Sequence, residues 1–232
     1  MADNPLLPQH RLRELHALML RVRKLERRQP HTSAREALLA SMLLHLTPGD
    51  LLSGPANDRT LRELAPASIS TAPKNDLPPN LRLPLCAGAS RGMQAASPAH
   101  LTVAYMEPGT REPGWLDAIT WAHRDQLPFL LICADSSAGR ASRADSSAKN
   151  TPLTWPAVSQ LAKKLHLPLF PVDGDDAVAV FRVMQETTAR ARAQGGPSIL
   201  WAVLSPAPLP RKQQPVARLE TYMSARGISL EV

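Results

Sequence analysis

The spacing of apolar residues alternates between helical and strand-like periods along most of the chain. Leu12, Leu15, Leu18, Met19, Val22 and Leu25 recur at three- and four-residue intervals, which predicts an amphipathic helix from Gln9 to Arg28. Pro30 ends it. A second helix is expected from Ala34 to His45, with Ser33 as N-cap and Glu36 completing a capping box. Thr47 to Asp50 reads as a turn, Leu51-Leu52 as the start of a loop reaching Arg59, and Thr60 to Leu64 as one helical turn. Pro66 to Pro84 holds no sustained period and reads as a long irregular connection. Leu85 to Ala96 is rich in small residues and reads as helix.

The stretch from Leu101 to Ser136 carries the clearest unit. Leu101–Tyr105 is a strand pattern, and Met106–Gly114 is broken by Pro108, Gly109, Pro113 and Gly114. Trp115, Ala118, Ile119 and Ala122 share one face of a helix, and Phe129–Cys133 is a second strand that stops at Asp135-Ser136. Strand, helix, strand at this spacing is a βαβ unit, whose right-handed parallel crossover puts both carboxyl ends on one edge. In open α/β sheets ligands bind at that edge. Function therefore turns on the loop from Met106 to Gly114 and on Asp135-Ser136.

Beyond it, Ala134-Asp135-Ser136-Ser137-Ala138 recurs as Ala144–Ala148, an echo too short for a structural repeat, within a basic loop carrying Arg140 and Arg143. Trp155–Leu165 is a helix and Leu167–Val172 a strand. Asp175 is the expected N-cap of a helix from Ala177 to Gln194, and Gly195-Gly196-Pro197 stops it. Ser198–Leu204 is a continuous buried strand, Leu209–Pro215 a linker, and Val216–Arg226 a closing helix. The alternation gives an α/β fold with a doubly wound, mostly parallel sheet and an N-terminal helical layer. The expected division is N-terminal helices over 1–64, a Pro-rich connection over 65–84, an α/β core over 85–208, and a linker with the last helix over 209–232, all within one domain.

Composition narrows the partners. The chain has 232 residues and a net charge of +7, which raises a nucleic-acid reading. That reading rests on charge alone: with three Phe and two Tyr there is little to stack on bases, and no zinc-finger spacing occurs. Cys86 and Cys133 lie in apolar runs outside any CxxC pair, so both are expected to be reduced and buried. No secretory signal and no span-length apolar run is evident, and a cytoplasmic protein without membrane contact is expected.

The order of these segments resembles the alpha subunit of the thiamine-diphosphate-dependent 2-oxoacid dehydrogenases, the decarboxylating component of the pyruvate and branched-chain complexes. LRELHALMLRVRKLERR resembles the family's opening helix, and SAREALLASMLLHLTPGD its second helix and turn. LTVAYMEPGTREPGWLDAITWAHRDQLPFLLICADS resembles its cofactor-binding core, where Glu112, Ala118, Ala122, Leu127-Pro128 and Cys133 match. LPLFPVDGDDAVAVFRVMQETTARARAQGGPSILWAV and PVARLETYMSARG carry the most specific matches.

The resemblance implies thiamine diphosphate and Mg²⁺ at the carboxyl edge, and there the motif departs. Met106-Glu107-Pro108 stands where the family has Gly-Asp-Gly, and Ser136 where it has the asparagine that ligates magnesium. By resemblance the candidate cofactor-binding residues are Glu107, Gly109 and Ser136, with Glu107 and Ser136 as the metal ligands of any site that survives. Pro108 has no N–H and a fixed φ, so it does not replace a glycine beside a phosphate. The family's Tyr-Arg pair for the diphosphate reads Ala56-Asn57 here, and Asp58 matches. Read without the resemblance, Glu107 is a solvated loop carboxylate and Asp135-Ser136 a strand-end turn. No catalytic residue is assigned. The main expectation is an alpha-subunit homologue with lost or weakened cofactor binding and a structural or regulatory role, partnered by itself or by a beta-type dehydrogenase subunit. The alternatives are an active subunit with Glu107 and Asp135 or Ser136 on the metal, and a basic nucleic-acid-binding module.

Overall fold

A computed structural model describes residues 7–27, 34–55, 58–71, 81–97, 99–107, 114–136, 153–206 and 209–229. Six parallel strands form one sheet in the order β2-β1-β3-β4-β6-β5. They are β1 (Leu51–Ser53), β2 (Ser70–Thr71), β3 (Thr102–Met106), β4 (Phe129–Asp135), β5 (Leu169–Asp173) and β6 (Ser198–Val203). The helices are α1 (Gln9–Glu26), α2 (Glu36–His45), α3 (Arg59–Leu64), α4 (Arg82–Ala96), α5 (Trp115–Arg124), α6 (Trp155–Leu165), α7 (Ala177–Arg192) and α8 (Pro215–Ser224).

Alternation along the strands sorts the core into two faces. Val103, Tyr105, Leu130 and Ile132 pack with Leu38, Leu39, Val180 and Met184 of α2 and α7. Ala104, Met106, Leu131 and Cys133 pack with Leu83, Trp115, Ile119 and Val158 of α4, α5 and α6. Because both faces are covered, β3 and β4 read as unbroken apolar runs. A third layer lies outside α2 and α7, where Leu12, Leu15 and Met19 of α1 meet Ala37, Ala40, Phe181 and, from α8, Leu219 and Met223. Helix α2 is thus enclosed on both sides, and Glu36 through Leu43 are all buried. Its sequence, EALLASMLLH, is apolar around nearly the whole circumference for that reason. Among the described residues no helix is long and apolar enough to cross a membrane.

Several expectations change. Leu51-Leu52 does not open a loop: it is strand β1, in register with Thr102 and Val103. Ser70–Thr71, inside the stretch read as irregular, adds a two-residue strand beside it. Such short pieces hold no period, and only the neighbouring strand makes them β structure. Helix α4 begins at Arg82 and carries Pro84 in its first turn, where a missing N–H costs nothing. Ser33 lies outside the described residues, and no side chain caps α2.

The cap of α7 is Asp176 and not Asp175. Asp176 Oδ1 accepts the N–H groups of Val178 and Ala179, both at 3.0 Å. Asp175 is buried instead, accepts Ser205 N–H at 3.2 Å, and has its carboxyl raised by burial. Gly174 forms the corner that leaves β5 for α7: its N–H bonds Val203 O at 2.8 Å, and a Cβ there would lie 2.4 Å from Leu204 Cδ2. Strand β5 is the outer strand at this end of the sheet, and its central Pro171 is exposed.

Asp176→Ala is expected to cost about 1 kcal/mol through the lost cap. Amide hydrogen exchange should accelerate first at Val178 and Ala179, while the β5–β6 ladder keeps its protection.

Candidate functional site

The strand order places a topological switch between β1 and β3. From β1 the chain runs to β2 on one side, and from β3 it runs to β4 on the other. The crevice outside the carboxyl ends of such a pair is where open α/β sheets bind ligands. Ser53 ends β1, and Met106 ends β3 with Glu107 directly after it.

A guanidinium fills this crevice from the α2 side. The Arg35 side chain is 2% exposed. Its Nη1 donates to Asp58 Oδ2 and to Glu107 Oε1, both at 2.7 Å, and lies 3.3 Å from the Tyr105 hydroxyl. Its Nε and Nη2 meet Glu26 Oε1 at 2.9 and 2.7 Å. Glu26 and Asp58 are 9% and 4% exposed, whereas Glu107 keeps 39% in contact with solvent. Arg35 also sits 5.8 Å from the Tyr105 ring centroid. Beside this cluster Arg23 pairs with Glu36 at 2.8 Å.

Each member is held from its own element. Arg35 stands at the start of α2, an apolar helix enclosed by other layers, so its charge has to be neutralised inside the protein. Asp58 caps α3 through Oδ1, which accepts Leu61 N–H at 3.0 Å, and this turns Oδ2 toward Arg35. Tyr105 is fully buried on β3, and its hydroxyl lies 3.4 Å from Glu107 Oε1. On the α4 side, Arg82 Nη1 donates to Ser53 Oγ at 3.1 Å and, with Nη2, reaches Tyr105 O at 3.4 Å, joining the ends of β1 and β3.

The titrations follow from this enclosure. Burial pushes the Glu26 carboxyl up to about 7 against the pull of Arg35, with Glu36 and Asp58 adding to the rise. Burial opposes the Arg35 charge, but Tyr105, Glu26 and Asp58 more than offset it and hold the guanidinium protonated beyond its ordinary range. Burial likewise raises the Tyr105 hydroxyl.

Of the residues expected from sequence, Glu107 is in the crevice and bound to Arg35. Ser136 follows β4, is half-buried, and leaves the sheet three residues past the Met106–Cys133 pair, where Glu107 leaves one residue past it. Beside it, Asp135 Oδ2 accepts Trp201 Nε1–H at 3.1 Å. Gly109 lies outside the described residues, as do Ala56-Asn57 and the basic loop. Arg35, Tyr105 and Arg82 are not evident from sequence spacing. The signal for Arg35 was available: a charge opening an otherwise apolar, buried helix needs a buried partner. Among the described residues no group of three or more His, Cys, Asp or Glu is arranged to hold a metal ion.

A family model described as the dehydrogenase E1 component matches residues 27–204. No curated protein matches the chain. Among solved structures, benzoylformate decarboxylase from Polynucleobacter necessarius is similar with a TM-score of 0.53 and 12% identity, over 74% of this chain and 33% of that one. A protein from Mycobacterium smegmatis, described as a thiamin diphosphate-dependent enzyme, is similar with a TM-score of 0.51 and 16% identity, over 76% of this chain and 34% of that one. These likenesses give the fold, and the chain spans about a third of the length of those proteins.

Two outcomes are expected of the cluster. The folded protein holds the Glu26 proton more tightly than the unfolded chain, so that contribution is present below about 4.5 and is lost as pH rises through about 7. Denaturant titrations should therefore show stability falling across this window, and Glu26→Gln should flatten the slope. Arg35→Met leaves buried carboxylates unpaired and should cost about 3–5 kcal/mol in the same assay.

Proposed function

The chain belongs to the dehydrogenase E1 component family, and we propose that it acts there as an alpha-type subunit whose role is assembly and regulation, with thiamine diphosphate and Mg²⁺ binding lost. The observation that carries this is the contact of Arg35 Nη1 with Glu107 Oε1 at 2.7 Å. Glu107 is the carboxylate that the family resemblance would offer to magnesium. The residues present do not fit that ion. A guanidinium already neutralises the carboxylate, and a second cation beside it would be repelled in a largely buried setting. Mg²⁺ also demands near-ideal octahedral ligands at about 2.0–2.1 Å, which a lone carboxylate and a serine hydroxyl three residues beyond the pairing of β3 and β4 supply poorly. Pro108 withholds the N–H and the backbone freedom that a phosphate would use.

Support for the assembly role comes from exposed apolar side chains. Leu81 and Leu85 at the start of α4, Trp155 at the start of α6 and Val203 at the end of β6 are large apolar side chains left exposed. Leu20 of α1 is exposed as well, while the core is closed on both sheet faces. Large apolar side chains left exposed are the kind of surface that a protein contact covers. A second copy of the chain or a beta-type subunit would cover it.

Isothermal titration with thiamine diphosphate and Mg²⁺ is expected to give no magnesium-dependent heat. Binding at micromolar affinity would overturn the proposal. Leu85→Asp should weaken self-association or capture of a beta-type subunit in sedimentation velocity while leaving the far-ultraviolet spectrum unchanged.

A further inference from the structure

We propose that the outer face of α1 is a docking surface for an acidic helix of a partner protein. His10, Arg13, Ala17, Leu20 and Lys24 of α1, and Arg27 directly after it, recur at alternating three- and four-residue steps, which places them in one row along the helix. The row runs about 26 Å at the helical rise of about 1.5 Å per residue. It lies opposite the side that α1 buries, where Leu12, Leu15, Met19 and Val22 are inside the protein. Within the row Leu20 is 42% exposed and Ala17 is half-buried, with Arg13 on one side of them, Lys24 and Arg27 on the other, and Arg21 alongside. Alternating three- and four-residue spacing is the one on which a second helix packs lengthwise.

The charges say what that second helix carries. Both glutamates of α1 are engaged elsewhere, Glu14 by Arg11 at 2.8 Å and Glu26 by Arg35 at 2.7 Å. Arg21, Lys24 and Arg27 are exposed and have no ion pair among the described residues. They stand three residues apart, where like charges on a helix are neighbours and repel. The dipole of α1 suits Lys24 and Arg27 at its carboxyl end but opposes Arg11 and Arg13 near its amino end, and the first turn holds no acid. A helix with carboxylates toward both ends of the contact and a small apolar centre relieves this repulsion and covers Leu20. Two other anionic partners fit less well. Nucleic acid has no use for the apolar centre and finds no aromatic ring in the row to stack on. A membrane surface takes a broad apolar helix face, and that face of α1 is already packed inside the protein. The inference goes beyond the functional reading and does not depend on the loss of a cofactor.

The test uses the full chain and a fluorescently labelled helical peptide of about three heptads, with leucine at its central packing positions and glutamate at the outer ones. Fluorescence anisotropy should report binding that weakens as salt is added. Arg21→Glu with Lys24→Glu should weaken it at least about tenfold. Leu20→Ser should weaken it too, at unchanged net charge. Arg182→Glu with Arg190→Glu, both exposed on α7, makes the same change in net charge and should leave binding as it was. If the paired α1 variant does not fold by circular dichroism, Arg21→Gln with Lys24→Gln takes its place and should weaken binding in the same direction. An unaltered chain that does not bind the peptide overturns the proposal, as do α1 variants that bind it normally. An equal loss from the α7 pair overturns it as well, because net charge alone would then explain the binding. So does tighter binding of duplex DNA or of phosphatidylserine vesicles than of the peptide, if the α1 variants abolish it. None of these outcomes bears on thiamine diphosphate, whose titration against the unaltered chain tests the functional reading by itself.

Discussion

A single buried guanidinium is the constraint on which the carboxyl edge of this protein depends. Arg35 has left water almost completely and recovers its solvation from groups on separate elements. Glu26 comes from the end of α1, Asp58 from the start of α3, and Tyr105 and Glu107 from the end of β3. Removing any partner leaves charge stranded in a medium that screens it poorly. Buried ion pairs commonly do little better than a well-packed apolar core, so the main effect of this one is on arrangement. It fixes how the N-terminal helices sit on the sheet, and it sets what the crevice between β1 and β3 presents to solvent.

That crevice illustrates how architecture and chemistry separate. The winding of the sheet depends on apolar packing on two faces, and this packing tolerates wide change in residue identity as long as volume and pattern persist. A phosphate-and-metal site tolerates almost none, because ligand distances and backbone approach are narrow requirements. A chain that keeps the first set of constraints and departs from the second retains the fold while its edge chemistry changes. On the proposed reading, Met106-Glu107 and Ser136 sit at the departure, while the apolar packing of Leu130, Ile132 and Leu200 does not take part in it.

The legibility of the sequence follows the same division. Helices α1, α5, α6 and α7 and strands β3, β4 and β6 were evident because each is long enough to show its period. β1 and β2 were not: three and two residues carry no period, and their strand character comes from the β3 backbone beside them. The choice between Asp175 and Asp176 as cap was invisible, since neighbouring aspartates have equal propensity and only the buried contact to Ser205 separates them. At the site, Glu107 was located by its position at the end of a strand. Its partner was not, because Arg35 precedes it by 72 residues and meets it only once α2 is folded against the sheet. Ion pairs of such long range leave no local pattern.

Pro171 adds a consequence of another kind. β5 lies at the outer limit of the sheet, with one side of its backbone turned away from β6. An unprotected outer strand is a template on which further chains can stack during folding or at high concentration. A proline in the middle of this strand, opposite Trp201, has no N–H to offer an incoming strand, and the charge of Asp173 follows two residues later. A protein that exposes several large apolar side chains is thereby closed to growth by backbone pairing at this margin. If the chain associates as proposed, side-chain recognition, which can be selective, is favoured over sheet extension, which cannot.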